Sequence, residues 1–146
     1  MSKTSREDLE ERVRINRLLK GYLSMESLTP AMWAQLLCGV QPVPGCTDIP
    51  AAACQLKTPT LPATRDQLHN ARKVLEQFIE EWQEDDVELP HTLSSGELIW
   101  WSMESYVHVA APHKPEWLEY ILALCKISSH SSPPIPAPFG LAEHAL

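Results

Sequence analysis

The chain has 146 residues, of which 44% are hydrophobic, and a formal net charge of −7. This length suits a single globular domain, and the excess of carboxylates disfavours nucleic-acid binding through neutralisation of phosphates. No run of 18 apolar residues occurs, so no membrane span is expected. The segment "MSKTSREDLEERVR" is charged throughout and lacks the apolar region of a secretory signal, which favours a cytoplasmic protein.

The cysteines are few and widely spaced. Cys38, Cys46, Cys54 and Cys125 include no Cys-x-x-Cys pair, and the shortest spacing is eight residues. Two disulfides would require an oxidising compartment, and a zinc site normally has ligands at short spacing. The sequence therefore favours free thiols and predicts neither a metal nor a cofactor.

The first predicted helix runs from about Ser5 to Leu23. Its apolar residues are expected to form one face against the core; they are Leu9, Val13, Leu18, Leu19, Tyr22 and Leu23. The best candidate for a basic patch consists of Arg12, Arg14, Arg17 and Lys20. A solvated helix face is the simpler interpretation of these four residues.

A short second helix is indicated by its ends. Thr29 suits the N-cap, Pro30 the first helical position and Gly39 the C′ position. Residues 40–63, the proline-rich loop, then contain five prolines, which exclude a central strand and a long helix. We expect this loop to be ordered around the core, with room for one helical turn near residues 51–55.

The third helix, from Thr64 to about Gln83, has the clearest pattern. Thr64 and Gln67 have the spacing of a capping box. Apolar residues recur every three or four positions and form one face; they are Leu68, Ala71, Leu75, Phe78 and Trp82. We therefore expect this helix to lie on the core along a single stripe.

An acidic stretch follows at the end of this helix. Six carboxylates occupy nine positions, namely Glu80, Glu81, Glu84, Asp85, Asp86 and Glu88. Negative charge at a helix C-terminus opposes the helix dipole, so local stability does not account for this arrangement. It is either a solvated acidic turn or a patch for a basic partner, with Glu84, Asp85 and Asp86 as the candidate contacts.

The fourth helix, from about Ser95 to Ala110, contains adjacent tryptophans. Trp100 and Trp101 lie about 100° apart around a helix axis, so they cannot share one face. The narrow polar stripe between them consists of Glu97, Glu104 and His108. Because the rest of the circumference is apolar, we interpret this as the central helix, with the stripe as its one opening and at least one indole edge accessible. The alternative is that neighbouring helices cover both rings.

The fifth helix is predicted from Pro115 to about Ile127, and a tail rich in Pro and Ser follows at residues 128–146. The fold expected is therefore all-α, a compact bundle of about five helices. A single domain spans residues 1–127 and includes the proline-rich loop. Five residues on the central arcs of three helices are expected to be almost fully buried: Leu75, Phe78, Ile99, Tyr106 and Ile121.

Two segments resemble small uncharacterised proteins from bacterial mobile elements. "SLTPAMWAQLLCGVQP" resembles their Trp-[Ser/Thr]-x-x-Glu-Ala-Ala-x-Leu-Leu-x-Gly-x-x-Pro segment, and "ELIWWSMESYVHVAAPHKPEWLEYI" resembles a later Trp-containing helix followed by Pro-x-Trp-Leu. The matching residues are Leu28, Thr29, Leu36, Leu37, Gly39, Pro42, Trp101, Pro115, Trp117 and Leu118. The Glu-Ala-Ala step departs, since this chain has Met32, Trp33 and Ala34 there. The resemblance covers under 30% of the chain and implies a bacterial mobile-element or defence setting, without implying an activity.

Motifs of the common enzyme classes are absent from the sequence, including Gly-rich phosphate loops, Gly-x-Ser-x-Gly and His-Glu-x-x-His. Glu104 and His108, together with Cys125 or Cys38, would complete a cysteine–histidine–acid set. A polar pair on a helix explains the same i,i+4 spacing more simply.

The expected function is therefore a non-enzymatic protein–protein interaction module, an accessory, regulatory or inhibitory subunit of a bacterial mobile-element or defence system. Its partner is another protein or a second copy of itself. The predicted partner-binding residues are Trp100, Trp101, Glu104, His108, Glu84, Asp85 and Asp86. The alternative is a nucleic-acid-associated regulator that uses the basic first helix, and the third possibility is a small cysteine-dependent enzyme.

Overall fold

A computed structural model of the protein describes residues 5–84, 88–106, 109 and 114–126. The helices in these residues are α1 (Ser5–Leu23), α2 (Pro30–Leu37), α3 (Arg65–Glu84), α4 (Ser95–Tyr106) and α5 (Leu118–Lys126). The same residues form no strand, and their β-type pairing is confined to three isolated bridges. The predicted compact all-α fold with five helices is confirmed.

The ends of α2 and α3 lie where the capping residues predict. The Thr29 hydroxyl accepts a hydrogen bond from the Met32 N–H at 3.1 Å, and Gly39 has the left-handed φ of 76° that a C′ residue requires. At α3, the Gln67 N–H donates to the Thr64 hydroxyl at 3.0 Å, and the Thr64 N–H donates to the Gln67 side chain at 2.9 Å. This reciprocal pair satisfies two donors and sets the helix boundary.

The centre of the fold is α2, not α4. All residues from Ala31 to Leu37 are buried, and α2 packs against α3. The fully buried amide of Gln35 donates to the Ala31 carbonyl at 3.0 Å and accepts from the Val43 N–H at 3.3 Å. The interpretation of α4 as the central helix is wrong because α2 contains no charged residue and can be enclosed on every side, whereas α4 keeps an exposed face.

The proline-rich loop folds back on itself and packs on this core. The Gln41 N–H donates to the Cys54 carbonyl at 2.8 Å, and the side chains of Ile49 and Leu56 are buried in the core cluster. The helical turn considered near residues 51–55 is not formed. Backbone groups there pair across the loop instead, which leaves them unavailable for helical hydrogen bonds.

The start of α5 differs from the prediction. Its first helical residue is Leu118 rather than Pro115, although the Leu118 N–H does close a turn onto the Pro115 carbonyl at 3.3 Å. The Trp117 N–H donates to the carbonyl of Leu37 at the C-terminal end of α2, at 3.0 Å. This long-range bond joins α5 to α2, and a local pattern gives no sign of it.

The predicted C-terminal ends of α4 and α5 lie partly outside the described residues. The last helical residue of α4 is Tyr106, and Val109 is not helical. Ala110, Ile127 and the tail at residues 128–146 lie outside the described residues.

The core prediction is confirmed for four of its five residues. Those that are buried are Leu75, Phe78, Tyr106 and Ile121. Ile99 is only partly buried. The fully buried residue of that turn is Leu98, and the two side chains point about 100° apart around the helix.

The predicted inner face of α1 is wrong at its N-terminal end. The fully buried residues of α1 are Ile15 and Leu19. Leu9 and Val13 are exposed on the outer side. Contact with α5 decides this rotation, since Tyr120 donates a hydrogen bond to Asn16 and lies beneath the guanidinium of Arg12, 5.8 Å from the ring centroid.

Candidate protein-binding surface

A capping box holds the first turn of α4. The Glu97 N–H donates to the Ser94 hydroxyl at 3.1 Å, and the Ser94 N–H donates to the Glu97 carboxylate at 3.0 Å. The Ser94 hydroxyl also donates to this carboxylate at 3.0 Å, and the two bonds to the carboxylate, first the one from the Ser94 backbone, lower the pKa of Glu97. The Ser95 hydroxyl also donates to the Leu23 carbonyl at the end of α1, at 2.8 Å. Sequence reasoning missed this box, although Ser followed three residues later by Glu is its signature.

Trp101 lies on the inner face of α4 and is only 8% exposed. Its indole N–H donates to the Glu81 carboxylate of α3 at 3.0 Å. The ring makes edge-to-face contacts with Phe78 and Tyr106, with centroids 4.9 and 5.7 Å away. Trp101 therefore joins α4 to α3 through both apolar contact and a directional hydrogen bond.

A polar network surrounds this indole and fixes the rotation of α4. Glu81 also accepts hydrogen bonds from Ser105 at 2.9 Å and from the Gln77 amide at 2.7 Å. The Tyr106 hydroxyl donates to Gln77 at 2.8 Å, and burial is the main cause that raises the pKa of Tyr106. Because several directed bonds hold the inner side, the opposite side of α4 is held facing outward.

That outward side forms the Trp100 face, which consists of Glu97, Trp100, Met103 and Glu104. Trp100 is 64% exposed and Met103 is 41% exposed, and the two glutamates are exposed beside them. These positions are three or four residues apart, so they lie on one side of the helix. The prediction that one of the paired indoles keeps an accessible edge is confirmed.

The Trp100 face has the chemistry of a binding surface. An indole and a thioether supply apolar area, and two carboxylates supply hydrogen-bond acceptors at its edge. The helix beneath is held by a capping box at its start and by the Glu81 network on its inner side. Contact with this face therefore requires little additional ordering of the backbone.

The remaining predicted site residues are distributed differently. The structure brings Trp100 and Glu104 together on one face and places Trp101 on the other side of the helix. His108, Asp85 and Asp86 lie outside the described residues, as does the side chain of Glu84. Met103 is also exposed, although the sequence pattern placed it on the apolar side of the helix. Its position three residues after Trp100 indicates that the two side chains share one face.

The acidic stretch is not a uniform surface patch. Glu80 and Glu88 are exposed, whereas Glu81 accepts two hydrogen bonds from α4 and a third from Gln77 within α3. One of the six carboxylates thus has a structural role that its charge alone did not reveal.

Two of the thiols, Cys38 and Cys125, lack the environment of a catalytic nucleophile. All four cysteines are free, as predicted. Burial, reinforced by Glu116, raises the pKa of Cys38 to about 12, and burial also raises the pKa of Cys125. Reactive cysteines instead have a lowered pKa, because the thiolate is the nucleophile.

Neither a metal centre nor a membrane span is found in the described part of the chain. No three His, Cys, Asp or Glu side chains there are placed to hold an ion. The helices in the same residues are too short or too polar to cross a bilayer. No protein-family model, curated protein or solved structure matches the chain.

Proposed function

We propose that this protein is a non-enzymatic protein–protein interaction module that binds its partner through the Trp100 face. The observation that carries the proposal is the 64% exposure of Trp100 on a helix whose opposite side is locked to α3. Tryptophan is enriched among the few residues that dominate interface energies. Its ring buries a large area and loses few rotatable bonds on binding.

The rest of the Trp100 face supports the same function. Met103 adds a flexible apolar side chain next to the indole, which lets the surface adapt to its partner. Glu97 and Glu104 form a polar edge of the kind that surrounds an apolar interface centre. Two carboxylates at this edge favour a partner with basic or amide donors around an apolar pocket.

The setting we propose is bacterial and cytoplasmic, with the protein as an accessory, regulatory or inhibitory subunit of a mobile-element or defence system. This part rests on the resemblance of the two segments around Thr29 and Trp117. The partner is another protein or a second copy of this chain.

The test is affinity purification of the tagged full chain from its native host, followed by titration of the recovered partner with purified variants. Trp100→Ala is expected to weaken binding by about 2 kcal/mol or more, which is roughly 30-fold. Leu61→Ala is the matched control, since Leu61 is another apolar side chain with 49% exposure. Equal affinity of wild type, Trp100→Ala and Leu61→Ala would contradict the proposed contact.

A nucleic-acid-associated regulator is the second candidate, and the exposure of Arg17 and Lys20 on α1 favours it. Two of the other cations of this helix are already engaged. The Arg14 guanidinium donates to the Lys57 carbonyl at 2.5 Å, and Arg12 lies over the Tyr120 ring. We expect no measurable binding of a random duplex near physiological salt in fluorescence anisotropy. Micromolar, salt-sensitive binding that disappears in Arg17→Ala would make this candidate the leading one.

A cysteine-dependent enzyme is the third candidate and has the least support. The raised pKa values of Cys38 and Cys125 keep both thiols protonated near neutral pH. Cys54 is exposed, yet no described acid or histidine is hydrogen-bonded to it.

A further inference from the structure

The outer flank of α1 exposes an apolar stripe that the core does not use. Leu9 is 61% exposed, Val13 is 46% exposed, and Met25, two residues beyond the helix, is 42% exposed. The core-facing residues Ile15 and Leu19 occupy another side of α1. The helix is therefore apolar on two sides, and packing within the described residues accounts for only one.

This stripe forms one wall of a long groove of about 920 Å³. Gln41 and Pro59 from the proline-rich loop line the other wall. The lining residues of α1 run from Leu9 to Tyr22, which corresponds to about 20 Å along the helix axis, and Met25 lies beyond the end of the helix. Elongated and open, the groove is shaped for an extended or helical segment.

Two arginines lie inside this apolar lining, although the chain has a net charge of −7. The Arg14 guanidinium is held at the rim by its hydrogen bond to the Lys57 carbonyl. Arg17 is exposed and makes no ion pair with the described residues. Glu10 lies towards the N-terminal end, where it pairs with Arg6 at 4.0 Å. The middle of the groove therefore places cationic hydrogen-bond donors beside the apolar wall.

We propose that this groove binds an amphipathic helix of a partner protein, about 13 residues long, whose apolar stripe is flanked by Asp or Glu. The apolar stripe would lie on Val13 and its neighbours, and the carboxylates would meet Arg17 and those guanidinium donors of Arg14 that do not bond to Lys57. Arginine suits this role because its planar guanidinium forms paired hydrogen bonds to carboxylates. The inference does not rest on the Trp100 face, which lies on a different helix.

Other occupants fit the groove less well. Small-molecule sites bury most of the ligand surface, whereas the exposure of Leu9 and Val13 describes an open trough. Binding to a nucleic-acid backbone depends on cations, so it would leave the apolar wall of the groove without a partner. A helix laid in a groove uses both the apolar wall and the arginines.

The test is a selection with the purified full chain against displayed helices of about 13 residues. Each helix has a fixed stripe of Leu at i, i+3 and i+4 spacing, and its flanking positions vary among Glu, Lys, Gln and Ser. We expect Glu-flanked helices to be enriched. Their affinity should fall at least about tenfold with Arg17→Glu and with Val13→Glu. Arg17→Gln is a milder variant that keeps the test valid if either charge change disturbs folding.

Two variants serve as controls. Arg72 is an exposed cation on α3, so Arg72→Glu should leave the affinity unchanged. Trp100→Ala should also leave it unchanged, which separates a failure here from a failure at the Trp100 face.

Several results would overturn the proposal. They are the absence of any enriched helix, enrichment of Lys-flanked or uncharged helices, and binding that is indifferent to Val13 and Arg17. A dimer in sedimentation velocity that Val13→Glu converts to a monomer would identify a second copy as the occupant. Salt-sensitive binding of duplex DNA that Arg17→Glu abolishes would identify a nucleic-acid site.

Discussion

Truncation of Phe78 to Ala removes the aromatic ring at the centre of the α3–α4 interface. Phe78 is 2% exposed. Its ring stacks on Trp82 with centroids 5.1 Å apart and meets Trp101 edge-to-face at 4.9 Å. A Phe-to-Ala change in a core costs about 3–5 kcal/mol, and two aromatic contacts place this site towards the upper end. The loss is a large part of the about 5–15 kcal/mol that stabilises a typical domain.

The assay is urea unfolding followed by far-UV circular dichroism. Tryptophan fluorescence is unsuitable because the substituted ring touches two indoles. With an m-value of about 2 kcal/mol per molar urea, a loss of about 4 kcal/mol lowers the midpoint by about 2 M. Leu61→Ala is the control, and its exposed side chain should cost less than about 0.5 kcal/mol.

A shift of the urea midpoint by Phe78→Ala that is no larger than the shift by Leu61→Ala would contradict the burial of Phe78 at this interface. Such a result would mean that this position does not face α4, and the register assigned to α3 would be wrong. Because Phe78 is buried and Leu61 is half exposed, burial predicts a much larger shift of the urea midpoint for Phe78→Ala.

Three further predictions concern single positions. Trp101→Phe should destabilise the fold by about 1–2 kcal/mol because it removes the hydrogen bond to the α3 carboxylate. Trp100→Phe should leave the urea midpoint almost unchanged, and equal effects of the two changes would contradict the assigned rotation of α4. Gly39→Ala should lower the thermal midpoint more than Gly45→Ala. Both residues have positive φ, but only at Gly39 would the new Cβ meet an indole nitrogen, at 2.5 Å. Burial raises the pKa of Cys38 from 9.0 to about 12, so the unfolded chain releases this proton first as the pH rises. The free energy of unfolding should therefore fall between about pH 9 and 12. In urea titrations Cys38→Ala should show a shallower fall, and an identical slope would refute this cause.

The boundaries of three helices follow from residues close together in the sequence. Thr29 as the N-cap of α2, Gly39 at its C′ position and the Thr64–Gln67 box of α3 all act within a few residues. Such interactions are present in any context in which the helix forms. The capping box of α4 is of the same kind and was equally readable.

For the paired tryptophans, the sequence determined the angle between the two side chains, and the tertiary structure determined which of them is buried. Helix geometry alone places Trp100 and Trp101 about 100° apart, so that the two rings face different surroundings. Which one is buried depends on Glu81, twenty residues earlier, whose carboxylate accepts the Trp101 N–H. No local pattern contains that contact.

The same reason explains the errors on the inner face of α1 and on the identity of the central helix. Leu9 and Val13 are as apolar as Ile15, and only the position of α5 decides which side of α1 is covered. The eight residues of α2 become the centre because α3 and the proline-rich loop close around them. A hydrophobic pattern states which faces can be buried, whereas burial itself depends on contacts between segments far apart in the chain.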